Sequence, residues 1–226
     1  MRSLFLLVLL AGCTASTPKS VLGETEMPAF RYLALGDSYT IGESVPDWER
    51  WPNQLAASLS AEGIPIEVKI IARTGWTVDE LWQGIQENPP EGKYELVTLL
   101  IGVNDQFRGY PVDGYRERFR FILGKAIEYA GGNAENVIVL SIPDWGLTPF
   151  AGDKNAQEVS HQIDLFNAVN FEETKNAHAH YVDVTEISRM AVSDADLIAG
   201  DGLHPSGRMY TLWADKVLPL AREILQ

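Results

Sequence analysis

Apolar residues in this chain fall into short dense runs separated by longer stretches in which they recur every three or four positions. Phe30 to Leu35 is the first run and contains the strand-like stretch Tyr32-Leu33-Ala34-Leu35. Trp51-Pro52 then opens a helix with proline in its first turn; Leu55, Ala56 and Leu59 form its apolar face and Gly63 stops it. Ile66 to Ala72 reads as a second strand, with Ile66, Val68 and Ile70 alternating and Ile71 filling in. Thr77 to Glu87 reads as a short helix in which Thr77 and Glu80 form a capping box. The nearly unbroken run Leu96 to Ile101 is expected of a buried central strand. Asp113 to Ala130 carries Tyr115, Phe119, Ile122, Leu123, Ala126 and Ile127 at helical spacing, ended by Gly131-Gly132. Val137 to Ile142 is a fourth strand. A long helix follows from about Asn155 to Asn176, with Val159, Ile163, Phe166, Val169 and Asn170 inward, and Tyr181 to Val184 is a short fifth strand. The last helix runs from Ser206 to Leu225, with Leu212, Trp213, Val217 and Leu220 inward and a kink or interruption expected at Pro219. Strands alternate with helices five times, which predicts one α/β domain with a parallel sheet and helices on both faces. No internal repeat and no second-domain boundary is visible.

In such a sheet, the residues just past the strand ends meet along one edge, where ligands bind. Those residues are Gly36-Asp37-Ser38, Thr74-Gly75-Trp76, Gly102-Val103-Asn104-Asp105 and Pro143-Asp144-Trp145-Gly146, with Asp201-Gly202-Leu203-His204-Pro205 near the C-terminus. Gly36 allows a sharp turn, and a serine held on a tight turn past a strand is where a nucleophile sits. Read singly, these segments are ordinary: Asp37-Ser38 makes a helix N-cap, Asn104 or Asp105 caps a helix, and His204-Pro205 makes a turn. Together they supply what acyl transfer requires: a nucleophile, a base, an orienter for the base and donors for an oxyanion.

The composition, 46% apolar and 22% charged over 226 residues, is that of an ordinary globular protein. The net charge of −13 argues against nucleic acid as a partner and against simple electrostatic adhesion to anionic lipid. The N-terminus changes the picture. Arg2, the apolar stretch Leu4 to Leu10 and the small residues Ala11 and Gly12 read as a signal segment, too short to span a bilayer, which takes about 20 residues. Leu10-Ala11-Gly12-Cys13 resembles the lipobox of bacterial lipoproteins, and Cys13 is the only cysteine. The resemblance implies that residues 1–12 are removed and that Cys13 is lipidated. Residues 13–28 then form a lipidated N-terminus and tether. Its polar part, Thr14 to Pro28, spans roughly 50 Å when extended, and residues 29–226 form the domain. The expected address is the bacterial cell envelope, with the membrane engaged only through the lipid anchor.

Gly36-Asp37-Ser38, Gly75, Gly102-Val103-Asn104-Asp105 and Asp201-Gly202-Leu203-His204 are similar to the four sequence blocks of the SGNH (GDSL-type) hydrolases, in the family's order. The resemblance covers the chain from about residue 30 to its end. It implies a flavodoxin-like three-layer α/β/α sandwich with five parallel strands, which agrees with the strand count above. It also implies that Ser38 is the nucleophile, His204 the base and Asp201 its orienter. The backbone N–H of Ser38, the backbone N–H of Gly75 and the side-chain amide of Asn104 would form the oxyanion hole. The chain departs from the family pattern at Tyr39, where leucine gives the family its name, and at Ala72-Arg73, where an asparagine often precedes the glycine.

Trp76, Phe107, Arg108 and Trp145 follow strand ends and are expected to line the substrate cleft, the aromatics against an acyl chain or sugar face and Arg108 against a carboxylate or phosphate. The expected activity is hydrolysis of carboxylic esters of short acyl or acetyl groups, on a small-molecule, glycan or lipid ester. The alternatives are an acyltransferase using the same acyl-enzyme and a catalytically inactive surface binding protein. His178-Ala179-His180 places two imidazoles at alternate positions but shows no third metal ligand, so a solvent-facing junction is expected, and His161 reads as a helix-surface residue. With no Walker motif, dinucleotide fingerprint or paired metal cysteines, no cofactor is implied. The chain is expected to act as a monomer.

Overall fold

The computed structural model describes residues 29–226; the signal-like segment, Cys13 and the stretch Thr14–Pro28 lie outside them. In chain order the elements are β1 (Phe30–Gly36), α1 (Ser38–Ile41), α2 (Trp51–Ala61), β2 (Ile66–Ala72), α3 (Val78–Glu87), β3 (Leu96–Leu100), α4 (Val103–Phe107), α5 (Val112–Tyr129), β4 (Val137–Leu140), α6 (Ala156–Asn176), β5 (His180–Val182), α7 (Thr185–Arg189) and α8 (Gly207–Leu225). The strands form one parallel sheet in the order β2-β1-β3-β4-β5. This is the α/β architecture expected from the alternating pattern.

The burial of each strand follows its place in the sheet. Every residue of β3 and β4 is buried, whereas the edge strand β2 buries only Ile71 completely. The chain steps outward from β1 to β2 and then crosses back to β3. Right-handed crossovers therefore place α2 and α8 together on one face and α3, α5 and α6 side by side on the other. The reversal makes the crevice between the carboxyl ends of β1 and β3 the topological switch point, where open α/β sheets bind ligands. Ser38 follows the first of these strands and Asn104 the second.

Local chemistry explains the helix ends. The Thr77–Glu80 capping box forms, with the Thr77 N–H donating to Glu80 Oε2 at 2.9 Å. Asn155 and Ser206 cap α6 and α8. Helix α8 runs through Pro219 without a break. The carbonyl left without its partner there belongs to Asp215, and both residues lie on the exposed side of the helix, where solvent is at hand. Leu212 and Leu220 are half-buried; the inward stripe is instead Met209, Tyr210, Trp213, Ala214, Val217, Ala221 and Leu225. His178 adopts a left-handed backbone (φ +59°) before β5 begins at His180, so the two imidazoles do not alternate along one strand.

Candidate active site

The tight turn that presents Ser38 is built by Gly36. A Cβ there would collide with the Thr40 side chain and the Leu100 carbonyl oxygen, so only glycine lets α1 start directly against β3. Asp37 caps that helix, its Oδ1 accepting the Tyr39 N–H at 3.0 Å. Ser38 is then the first helical residue, its N–H among those a helix leaves unpaired. The Ser38 hydroxyl makes no hydrogen bond to another described residue.

Asp37 itself is completely buried and its Oδ2 has no partner. Burial pushes its carboxyl up to about 8, opposed by the Tyr39 N–H and reinforced by the nearby Asp105. The folded protein thus keeps a proton that the unfolded chain releases above about pH 4. Linkage makes this contribution to stability full below pH 4 and lost as pH rises towards 8. Asp37→Asn keeps the cap but not the titration. Its stability, measured by urea unfolding at pH 5 and pH 7.5, is expected to fall less over that interval than the wild type's, by on the order of 2–3 kcal/mol. Parallel losses in the two proteins would contradict this.

The residues Asp201 to His204 sit in a tight loop closed by an antiparallel bridge between Ile198 and Pro205, with Ala199 N–H donating to His204 O at 2.8 Å. His204 Nδ1 lies 2.6 Å from Asp201 Oδ2, which fixes the tautomer with its proton on Nδ1 and leaves Nε2 free. Asp201 Oδ2 also accepts the Ser44 hydroxyl at 2.7 Å, and Oδ1 accepts the N–H groups of Leu203 (2.9 Å) and His204 (3.0 Å). Burial raises the Asp201 carboxyl, but the bonds from Ser44, His204 and the two backbone N–H groups outweigh it and hold the carboxyl well below the usual carboxylate range. Asp201 is therefore ionised at neutral and mildly acidic pH. Tyr39 packs beside the imidazole, ring centroids 5.4 Å apart.

Three residues of the β3–α4 segment grip the loop after β2. Asn104 Nδ2 donates to Trp76 O at 2.9 Å, Asp105 Oδ2 accepts the Val78 N–H at 3.0 Å, and Arg108 Nη2 donates to Gly75 O at 2.7 Å. Arg108 also forms a two-pronged pair with Glu80 (3.1 and 3.0 Å). Gly75 has φ +86°, and a Cβ there would meet no protein atom within 4 Å. The left-handed backbone, rather than crowding by the protein, is what calls for glycine.

These segments enclose a cleft of about 150 Å³ lined by Ser38, Tyr39, Thr74, Gly75, Val103, Asn104, Phe107, Trp145, Phe150, Leu203 and His204. Ser38, Gly75, Asn104 and His204 reach it, and Asp201 stands behind His204. Phe107 and Trp145 are in its wall. Trp76 and Arg108 are not: the Trp76 indole lies over Gly84 of α3, and the Arg108 guanidinium is committed to Glu80 and the Gly75 carbonyl. Tyr39, Phe150 and Leu203 were not expected in the wall. Phe150 approaches through a turn far from any strand end and packs 6.2 Å from Trp145 and 6.3 Å from Phe107, ring to ring. Trp145 is fixed by its indole N–H donating to Gln106 Oε1 at 2.8 Å.

The model of the GDSL-like lipase/acylhydrolase family matches residues 34–212. No curated protein sequence matches significantly. Several solved structures share the fold. TesA is 20% identical, with 86% of this chain and 99% of that chain covered at a TM-score of 0.67. The acetylxylan esterase Axe2 from Geobacillus stearothermophilus is also 20% identical, with 85% and 94% covered at 0.66. The psychrotrophic esterase EstA from Pseudoalteromonas sp. is 19% identical, with 86% and 98% covered at 0.62. The matched segment contains Ser38, Gly75, Asn104, Asp201 and His204, the residues gathered at the cleft, and on this ground the chain belongs to the GDSL-like lipase/acylhydrolase family.

Proposed function

We propose that the protein is a serine esterase that removes short acyl groups, acetyl foremost, from carboxylic esters through an acyl-enzyme on Ser38. The observation that carries this reading is the Asp201–His204 pair, held at 2.6 Å, opening onto the same cleft as Ser38, Gly75 and Asn104. In the first half-reaction Ser38 Oγ attacks the ester carbonyl carbon and its proton passes to His204 Nε2. The oxyanion of the tetrahedral intermediate is met by the N–H groups of Ser38 and Gly75 and by the Asn104 amide. Collapse expels the alcohol, which takes the proton from Nε2, and leaves the acyl group on Ser38. Water then attacks the acyl carbon, giving its proton to Nε2. The second collapse releases the acid and returns that proton to Ser38. Asp201, ionised throughout, stabilises the imidazolium formed in each half.

The small cleft supports the short-acyl assignment, since sites for drug-sized ligands run to roughly 300–1,000 Å³. The likeness to an acetylxylan esterase supports acetyl in particular. The apolar wall of Val103, Phe107, Trp145, Phe150 and Leu203 suits a methyl or propyl group on one side and a sugar or aryl face on the other. Aryl esters of graded acyl length test the assignment: kcat/KM is expected to be highest for acetate or butyrate and to fall at least tenfold by octanoate. A preference for eight or more carbons would contradict it. The same proposal places the protein in the bacterial envelope as a lipoprotein, on the strength of Leu10-Ala11-Gly12-Cys13 and the single cysteine.

A further inference from the structure

Ser44 is one of two non-glycine residues with a positive φ (+67°) among those described, a conformation that residues with a side chain rarely hold without a reason. Its side chain supplies one: its hydroxyl donates to Asp201 Oδ2 at 2.7 Å, across a sequence gap of 157 positions. That oxygen also receives His204 Nδ1. Asp201 thus has four donors, two on each oxygen. Three of them come from its own loop (Leu203 N–H, His204 N–H and His204 Nδ1), and Ser44 is the fourth. With four donors the carboxylate cannot rotate without losing a bond.

Ser44 is also tied to the nucleophile. The N–H groups of Gly42 and Glu43 both donate to Ser38 O at 3.0 Å, so the segment bearing Ser44 is an extension of the Ser38 helix. The Glu43 carboxylate is further bonded to the Thr74 hydroxyl, beside Gly75. A single short segment therefore links the serine, the acid loop and the glycine loop.

We propose that Ser44 is a positioning residue of the hydrolytic site, its hydroxyl orienting the Asp201 carboxylate and fastening the acid–base loop to the segment that carries Ser38. This rests on the esterase reading above. Two consequences follow. Without the hydroxyl the Asp201–His204 pair loses its register to Ser38, which lowers kcat more than substrate binding. Without it, too, Asp201 Oδ2 is shared with one donor fewer, so the carboxylate holds the imidazolium more strongly and the acidic limb of the rate profile moves up. The ionisable groups near the pair are Tyr39, packed beside the imidazole, and Tyr210 on α8, both of which feel the Asp201 charge; Asp37, Asp144 and Glu43 act on those phenols in turn. All of them are unchanged in Ser44 variants.

The test compares Ser44→Ala and Ser44→Gly with the wild type on acetate ester. Both remove the hydroxyl, and glycine also removes the cost of the left-handed backbone, so a loss shared by both belongs to the hydroxyl. Each is expected to lower kcat roughly 10- to 100-fold with KM within about twofold, and to raise the acidic midpoint of kcat/KM by about half a pH unit. Thermal midpoints identify any general loss of folding. Wild-type kcat and pH profile in Ser44→Gly would overturn the proposal, as would a lowered rate with an unmoved profile. Ser38→Ala run alongside separates the two levels: full turnover in that variant would overturn the esterase reading and this one with it, whereas its inactivity beside a wild-type-like Ser44→Gly would overturn this one alone.

Discussion

Ser38→Ala is expected to lose roughly 10⁶ in kcat on short-chain esters while folding as the wild type does. Among the described residues that line the cleft, no other offers a nucleophile. The cleft's other hydroxyls are those of Tyr39 and Thr74. Burial drives the Tyr39 phenol far above its ordinary range, so no phenolate is accessible, and the Thr74 hydroxyl is bonded to the Glu43 carboxylate. The substitution removes one oxygen that makes no hydrogen bond to another described residue, so stability should change little. Residual turnover of about 10³ over water, from the oxyanion donors and from binding alone, is the expected floor. Circular dichroism and thermal melting distinguish a folded, inactive variant from an unfolded one. A folded variant retaining a tenth of the wild-type rate would remove Ser38 from the chemistry.

Asn104→Ala is the second large effect, a loss of about 10²–10³ in kcat with KM nearly unchanged. Asn104 sits in the first turn of α4, directly past β3, and its amide is anchored through one bond to Trp76 O at 2.9 Å. That anchor spends one N–H and leaves the other to face the cleft. It also ties Asn104 to the loop of Gly75, so two of the three groups proposed to hold the oxyanion are set by one contact. The developing charge exists only in the transition state, which is why the loss falls on kcat rather than on substrate binding. Steady-state kinetics on acetate ester check the split. A rise in KM with kcat intact would mean that Asn104 binds substrate instead of stabilising charge.

Much of this arrangement is legible in the sequence, for identifiable reasons. The buried strands β1, β3 and β4 read as apolar runs because both faces of a central strand are covered. Helix α3 is legible at its start because the Thr77–Glu80 capping box is a purely local interaction. The order of strands and helices was enough to bring Ser38, Gly75 and Asn104 to one edge of the sheet. Short elements were not legible. Helices α1, α4 and α7 are four or five residues long, too short for any hydrophobic period, and depend on what they pack against.

Side-chain direction was the other hidden quantity. Trp76 and Arg108 follow strand ends as closely as Phe107 and Trp145 do, yet one covers Gly84 and the other is drawn to Glu80. Glu80 was recognised as a cap, but its second role as the partner of Arg108 joins residues 28 positions apart and leaves no local trace. Ser44 leaves no local trace either, because nothing in its neighbours announces a left-handed backbone or a bond to Asp201.

Covalent labelling tests the central claim most directly. An activated phosphonate ester, which mimics the tetrahedral intermediate and reacts with activated serines, is the probe. It should add a single equivalent to the protein, abolish ester hydrolysis in step with labelling, and appear by peptide mass spectrometry on Ser38, with no adduct on Ser38→Ala. Labelling confined to another residue, or complete loss of hydrolysis with Ser38 unmodified, would contradict an acyl-enzyme at this serine.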